Sequence, residues 1–390
     1  MIKREVEKEI IASLKVFPAV ILLGARQVGK TTLSRHIKTK LKRKAIYFDL
    51  ENPSDFEKLS GDSKFFLEQH KDSTVVIDEV QRLPELFPLI RYLIDKKKIN
   101  GRFILLGSAG KNILESASES LAGRAKYIEM NPIFYSEISS TKFQHHFLTG
   151  GFPKAFLAKG PKQFKEWFDG FVSSYVERDL KMMGLNANPI TIRRLITMLA
   201  GVNGAVINYS MIANSLGITG PTVKTYMYFL ESAFILRTVQ PYFPNLGKRL
   251  TKASKIYFRD TGLLNYFLGI YDKKSLYNSA YLGSVFESYI MQQIIPKLNY
   301  RTSAYFYRTH AGSEMDLCLV QGNKVKLALE IRFSTNPVLS KGNHIAVEDL
   351  GKPDLAIISP LAETFQKNKK TFIVNIKDLE KYLRYYDVIN

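Results

Sequence analysis

Nine residues, Gly24 to Thr32, read G-A-R-Q-V-G-K-T-T and fit the pattern G-x-x-x-x-G-K-[ST]. The flanks are those the pattern requires: Ala19 to Leu23 is an unbroken apolar run that reads as a buried strand, and Thr31 to Leu41 reads as a helix. Strand, glycine loop and helix in that order make a cradle for phosphate. Backbone N–H groups of Gly24, Gln27, Val28, Gly29 and Thr32 are placed to curl around a β-phosphate, and the helix N-terminus adds its positive end to the same anion. Lys30 would reach the β- and γ-phosphates, and the Thr31 hydroxyl would ligate Mg²⁺.

Around this loop the chain alternates. Ile2 to Phe17 reads as a helix, with Val6, Ile10, Ile11 and Leu14 on one face. Residues 44–50, 73–78, 102–107 and 125–130 read as further strands, so the first segment predicts a parallel sheet covered on both faces. The third strand ends in Asp78-Glu79. Asp78 would hold Mg²⁺ through water and Glu79 would polarise the attacking water, because hydrolysis needs a carboxylate beside its nucleophile. Ser108, at the end of the fourth strand, either touches the γ-phosphate or lytic water or simply starts the turn Gly107-Ser108-Ala109-Gly110. Arg124 has two readings as well: an arginine finger received by a neighbouring subunit of a homo-oligomer, or an ordinary surface or intrasubunit arginine.

A length of 390 residues suggests two or three domains. Lys and Arg number 56 against 36 Asp and Glu, and the resulting +20 points to an anionic partner, or else to a merely basic soluble protein. Cys318 is the one cysteine, which excludes disulfides and cysteine-based zinc sites within a chain. His145 and His146 are adjacent and lack the i, i+4 spacing of helical metal ligands. No apolar run approaches the length of a membrane span and no signal peptide is legible, so the expected location is cytoplasmic, without a membrane partner.

Residues 151–250 hold 12 Lys or Arg and 5 Asp or Glu, a net of +7. Within them, residues 207–230 read as a helix-turn-helix: Ser210 as N-cap, Met211 to Leu216 as the first helix, Gly217 as the turn, then Thr219 or Gly220 capping a second helix with Pro221 at its start. Val223, Met227 and Leu230 would face inward, leaving Thr219, Thr222, Lys224, Thr225 and Tyr228 to meet a DNA groove. Residues 237–258 would form a wing carrying Lys248 and Arg249. With one Lys on the second helix, DNA contact stands beside a use as an ATPase lid or protein contact.

Leu282 to Leu298 reads as an amphipathic helix with Glu287. Strands follow at 304–308, 315–320 and 325–333, the last two joined by the turn Gln321-Gly322-Asn323. Asp316 and Glu330 then lie on neighbouring strands, able to converge with Glu287 on a second divalent ion. Two more strands, 354–360 and 371–376, and a closing helix, 377–386, complete an α/β domain. Glu on a helix, then Asp, then Glu-x-Lys resembles the PD-(D/E)XK nuclease superfamily, except that Arg332 stands where that pattern has Lys. Arginine does not lose its proton, so it cannot help activate water as a lysine can. Cleavage and a purely structural ion-pair cluster are both compatible with these residues.

The order of the first segment resembles the AAA+ branch of the P-loop ATPases. Nearly the whole chain resembles an archaeal and bacterial ATPase family with a C-terminal nuclease-like domain, through I-D-E-V-Q-R-L-P-E-L at 77–86, S-L-A-G-R at 120–124, Y-V-E-R-D-L at 175–180, Y-F-R-D-T-G-L-L at 257–264 and G-S-E-M-D-L at 312–317. The resemblance implies ATP and Mg²⁺ as cofactors and ATP hydrolysis. The expected architecture is α/β: a P-loop parallel-sheet domain over 1–145, a winged-helix domain over 146–250 and a PD-(D/E)XK-like domain over 251–390. The expected function is Mg²⁺-dependent ATP hydrolysis coupled to a DNA-binding, nuclease-like half. The alternatives are a nucleotide-gated switch acting on a protein partner and an ATP-regulated nuclease.

Overall fold

The computed structural model describes residues 2–108, 120–180, 184–243 and 252–390, apart from the side chains of 176–178. Lys248 and Arg249 of the expected wing lie outside these. The chain forms two compact units, residues 1–133 with 232–235, and residues 134–231 with 236–390.

The first unit runs α1 (Val6–Val16), β1 (Ala19–Leu23), α2 (Lys30–Lys38), β2 (Ala45–Asp49), α3 (Pro53–Ser60), α4 (Ser63–Gln69), β3 (Thr74–Asp78), α5 (Leu86–Lys96), β4 (Phe103–Gly107) and β5 (Ala125–Glu129). The five strands are all parallel, in the order β2-β3-β4-β1-β5. Every residue of β1, β3 and β4 is buried, which is why these strands read as plain apolar runs without alternation. Ile21, Leu23, Val75, Ile77, Phe103 and Leu105 pack with Phe87 and Ile90 of α5 into one core. The strand order sets β4 between β1 and β3. The loops leaving these three strands, with Gly24, Asp78-Glu79 and Ser108, therefore share the carboxyl edge of the sheet, where open α/β sheets hold ligands.

The second unit begins with α6 (Phe143–Thr149), α7 (Pro153–Phe156) and α8 (Pro161–Phe171), which continues as a π-helix over Val172–Asp179. Next come α9 (Pro189–Gly201), α10 (Tyr209–Leu216) and α11 (Gly220–Ser232). The turn between α10 and α11 holds Gly217 at φ +67. The α10 cap is Asn208, whose side chain accepts from Met211 N at 3.0 Å, rather than Ser210: the helix starts one residue before Ser210. Val223, Met227 and Leu230 are buried, as the spacing predicts.

β6 (Leu236–Pro241) and β7 (Lys255–Phe258) pair antiparallel. After α12 (Thr261–Phe267), α13 (Lys273–Tyr277) and α14 (Leu282–Ile294) come β8 (Thr302–Arg308), β9 (Glu314–Gln321) and β10 (Lys324–Ile331), then α15 (Lys341–Asp349), β11 (Asp354–Ser359), β12 (Phe365–Asn368), β13 (Thr371–Asn375) and α16 (Leu379–Tyr385). These strands form one eight-stranded sheet, β12-β13-β11-β10-β9-β8-β6-β7. β8, β9 and β10 form an antiparallel meander, and β10, β11 and β13 run parallel. β6 lies parallel to β8, with Gln240 opposite Tyr305. The boundary expected at residue 250 therefore does not divide two compact units, because β6 shares its sheet with strands more than 60 residues downstream.

His145 Nε2 meets the Phe156 carbonyl at 2.6 Å and His146 Nδ1 meets the Tyr289 hydroxyl at 2.7 Å, so both rings tie α6 into its surroundings. Among the described residues no helix is long and apolar enough to cross a membrane.

Candidate active site

The glycine loop folds as the sequence requires. Gly24 has φ +157, and a Cβ there would stand 2.4 Å from the Met130 carbonyl oxygen, so the position admits no side chain. Gln27 and Gly29 are also left-handed, at φ +60 and +106. α2 begins at Lys30 with Gly29 as N-cap, and the first N–H groups of a helix have no partner within it. Val28 is buried, and its carbonyl accepts from Arg4 Nη1 at 3.3 Å, which braces the loop from behind. Thr32 is exposed on the first turn.

Lys30 is 5% exposed, and its ammonium donates to the carbonyls of Gly24 and Ala25 at 2.9 and 3.0 Å. Burial pushes it down to about 8, against the pull of Glu79 and Asp78 and with Arg26 adding to the fall. Thr31 Oγ1 donates to Asp78 Oδ2 at 2.6 Å, so the two groups expected at a Mg²⁺ ion already touch. Tyr47, from β2, donates to the same oxygen at 2.5 Å. Burial and this bond to Asp78 raise its phenol.

Glu79 sits at φ +54, uncommon for a residue with a side chain, and the turn it makes sends its carboxylate toward β4. There Ser108 Oγ donates to Glu79 Oε2 at 2.8 Å. Gln81 Nε2 donates to the same carboxylate oxygen and to Ser108 Oγ at 3.0 Å. The other end of that amide, Gln81 Oε1, is buried with no hydrogen-bond partner among the described residues. The structure thus brings Gly24, Gln27, Val28, Gly29, Lys30, Thr31, Asp78, Glu79 and Ser108 to one edge, and adds Gln81 and Tyr47, which sequence reasoning missed. The signal for Gln81 was its place two residues after an Asp-Glu pair. Tyr47 gave none, because its partner is 31 residues away.

Arg124 does not join this group. It precedes β5, whose first residue lies opposite the first residue of β1, so it sits at the amino edge of the sheet. Five residues of strand separate the two edges, about 16 Å. Its guanidinium makes a bidentate pair with Asp95 of α5, at 2.6 and 2.9 Å. Within one chain Arg124 is a surface partner of Asp95, and the pairing lowers the Asp95 carboxyl.

The second unit gathers a different cluster. Glu287 of α14 and Glu314 and Asp316 of β9 surround Lys255 of β7, and Glu330 of β10 lies beside them. The Lys255 side chain is 2% exposed, and its ammonium lies 3.2 Å from Glu287, 2.7 Å from Glu314 and 3.7 Å from Asp316. Arg332 pairs with Glu330. Asp316 and Glu330 lie one position beyond the last paired residues, Leu317 and Leu329, as the predicted hairpin places them. Glu287, Asp316 and Glu330 thus lie close together, but the first two meet an ammonium and Glu330 is taken by Arg332 and Asn343. Among the described residues no group of three or more His, Cys, Asp or Glu is arranged to hold a metal ion. Lys255 was missed because the residues it meets lie 32 to 61 positions away.

Three family models cover the chain in succession: an AAA domain over residues 16–139, and domains of unknown function DUF8612 over 140–274 and DUF4143 over 282–379. Uncharacterized proteins of Mycobacterium tuberculosis and Mycobacterium bovis are each 35% identical over 358 residues, 92% of this chain and 80% of theirs. An uncharacterized protein of Haemophilus influenzae is 22% identical over 64% of this chain and 69% of its own. Among solved structures, a Walker-type ATPase of Pyrococcus abyssi matches with a TM-score of 0.46 and 16% identity over 69% of this chain and 96% of that one.

Proposed function

The chain belongs to the family of the Mycobacterium tuberculosis protein and is an ATPase of AAA type, and from that premise we propose that Mg²⁺-dependent ATP hydrolysis at the carboxyl edge of the first sheet controls a DNA-binding second unit. The observation that carries the nucleotide site is Lys30. A buried ammonium held by two backbone carbonyls, and by no carboxylate among the described residues, is a charge awaiting an anion. The loop N–H groups and the α2 N-terminus surround the same point. Thr31 and Asp78 offer hard oxygens suited to Mg²⁺, which when bound would neutralise charge on the β- and γ-phosphates. Glu79 takes a proton from the attacking water. Ser108 and Gln81 hold the Glu79 carboxylate in place, and Lys30 stabilises charge on the transferring phosphoryl group. Arg124 would act only across a subunit boundary, after release from Asp95.

Support for DNA as the partner comes from α10 and α11, a two-helix unit followed by the β6–β7 hairpin, which we read as a winged helix-turn-helix. Thr219 just before α11 and Lys224, Thr225 and Tyr228 on it are exposed and Thr222 is half-buried, the face a groove-reading helix would present. The net +7 of residues 151–250 supplies the phosphate-seeking charge. The C-terminal strands we read as a nuclease-like fold kept for binding. One observation favours the reading as a switch on a protein partner: Lys224, the lone cation of α11, lies 5.1 Å over the Tyr209 ring instead of standing free.

Steady-state ATP hydrolysis with and without duplex DNA, with Glu79→Gln as the blank, separates the two. Stimulation by DNA that disappears in Glu79→Gln supports the DNA reading. Turnover indifferent to DNA favours the switch. Binding of ATP without turnover in either condition defeats hydrolysis-driven coupling.

A further inference from the structure

A nuclease-like fold implies a divalent ion at Glu287, Asp316 and Glu330. Such an ion needs several oxygens with open lone pairs converging at roughly 2.0–2.6 Å. These carboxylates offer few, because most of their oxygens already accept a hydrogen bond or face a cation. Glu287 Oε1 accepts from the Tyr257 hydroxyl at 2.5 Å and from Lys255 at 3.2 Å. Its other oxygen lies against Gly204, 3.2 Å from where a Cβ on that glycine would stand. Asp316 Oδ2 accepts from the Ile331 N–H at 2.9 Å, and Oδ1 faces Lys255. Glu330 is divided between Arg332 and the Asn343 amide, the latter at 2.9 Å. Glu314 is divided between Lys255 at 2.7 Å and Arg308 at 3.5 Å.

We propose that Lys255 is the resident cation of this cluster: its ammonium takes the place a metal would need, the wild-type cluster stays free of divalent ions, and removal of the ammonium opens a site for one. The charges agree. Four carboxylates face three cations, Lys255, Arg308 and Arg332, and a divalent ion would have to enter beside a buried ammonium. The surroundings also fix Lys255 where it is. Its Nζ lies 5.6 Å from the Phe306 ring, and β7 is held in the sheet by β6. Lys255 and Tyr257 alternate along β7 and both reach Glu287, so the cluster also fastens β7 to α14 and β9. In this view the second unit has exchanged a catalytic metal for an internal ion-pair latch.

The test is Mn²⁺ uptake by the full chain without nucleotide, followed by electron paramagnetic resonance, comparing each protein with its Asp316→Asn derivative so that ions bound elsewhere cancel. Wild type and Asp316→Asn are expected to bind equal amounts. Lys255→Met is expected to bind one ion more per chain than Lys255→Met with Asp316→Asn. The proposal is overturned if Asp316→Asn removes an ion from wild type, or if folded Lys255→Met shows no gain. Lys255→Gln, which keeps a hydrogen-bond donor at the position, replaces the methionine variant if circular dichroism shows that one unfolded. The wild-type comparison needs no change at residue 255, and by itself overturns the proposal if Asp316→Asn lowers uptake.

Discussion

The two units each bury one lysine ammonium among acidic residues, and the environments move these ammoniums in opposite directions. Lys30 hydrogen-bonds two backbone carbonyls, and burial outweighs the carboxylates nearby, so its proton is held less tightly than usual. At Lys255 burial acts the same way, but Glu287, Asp316 and Glu314 at contact distance overcome it and hold the proton far more tightly. Among the described residues one charge has no carboxylate in contact and the other has several. The first arrangement is costly without a ligand and rewarded by an anion. The second is complete in itself. Burial alone does not distinguish a working site from a structural ion pair; the carboxylates in contact with the buried ammonium do.

The largest effects should appear when each ammonium is removed in turn. Lys255→Met leaves three buried or half-buried carboxylates around an absent charge, and truncating one partner of such a cluster costs about 3–5 kcal/mol. Lys30→Met removes an uncompensated charge and should leave the nucleotide-free protein unchanged or up to about 3 kcal/mol more stable, while lowering ATP hydrolysis by at least about a hundredfold. Urea denaturation of both variants without nucleotide, beside an ATPase assay, reads all three. Loss of stability in both variants, by similar amounts, would erase the distinction between an open and a closed lysine.

A carboxylate buried without a cation in hydrogen-bond contact among the described residues sharpens the contrast. Asp260 caps α12, is 4% exposed and accepts from the Gly151 N–H at 2.6 Å and the Leu263 N–H at 2.8 Å. Burial pushes its carboxyl up to about 6 in spite of these bonds and further backbone donors. A carboxyl raised in the folded state binds protons more tightly there than in the unfolded chain. Its contribution to stability is therefore full below about pH 4 and is lost as the pH rises through 6. The stability of wild type relative to Asp260→Asn should fall by about 3 kcal/mol between pH 4 and pH 7. A difference that is flat with pH would mean the backbone donors fully offset the burial.

How much of this was legible in the sequence differs between the two sites for a physical reason. The loop from Gly24 to Thr32 is local: five buried strand residues, glycines at φ +157 and +106 and a helix start are all written within 20 positions. Asp78, Glu79 and Ser108 follow from strand ends, because the order of a parallel sheet brings strand ends together. The Lys255 cluster is assembled from β7, α14, β9 and β10, and no short pattern announces that an ammonium will sit among carboxylates from three other elements. Spacing also does not say which edge of a sheet a loop occupies, and Arg124 sits at the amino edge, paired with Asp95. α15 was missed although Ser340 and Asn343 form its capping box, and β12 was missed because all four of its residues are exposed and carry no alternation.

The smallest effect should come from Gln81, which bears on how the open site works. Its amide nitrogen bridges Glu79 and Ser108, while its oxygen is buried without a partner among the described residues. An amide oxygen left this way, beside the carboxylate that activates water, is placed to accept the second hydrogen of that water. Gln81→Ala should therefore lower kcat about tenfold, roughly the 1.4 kcal/mol of one lost neutral hydrogen bond in the transition state, while KM for ATP changes less than about twofold. A purely structural glutamine would give another pattern: removing it would loosen the β3–β4 edge, lower thermal stability and raise KM together with the fall in kcat. Initial-rate kinetics over a range of ATP concentrations, with a melting curve for the same preparation, separate the two. A fall in kcat alone places Gln81 on the water, and a coupled change in KM and melting temperature places it in the scaffold.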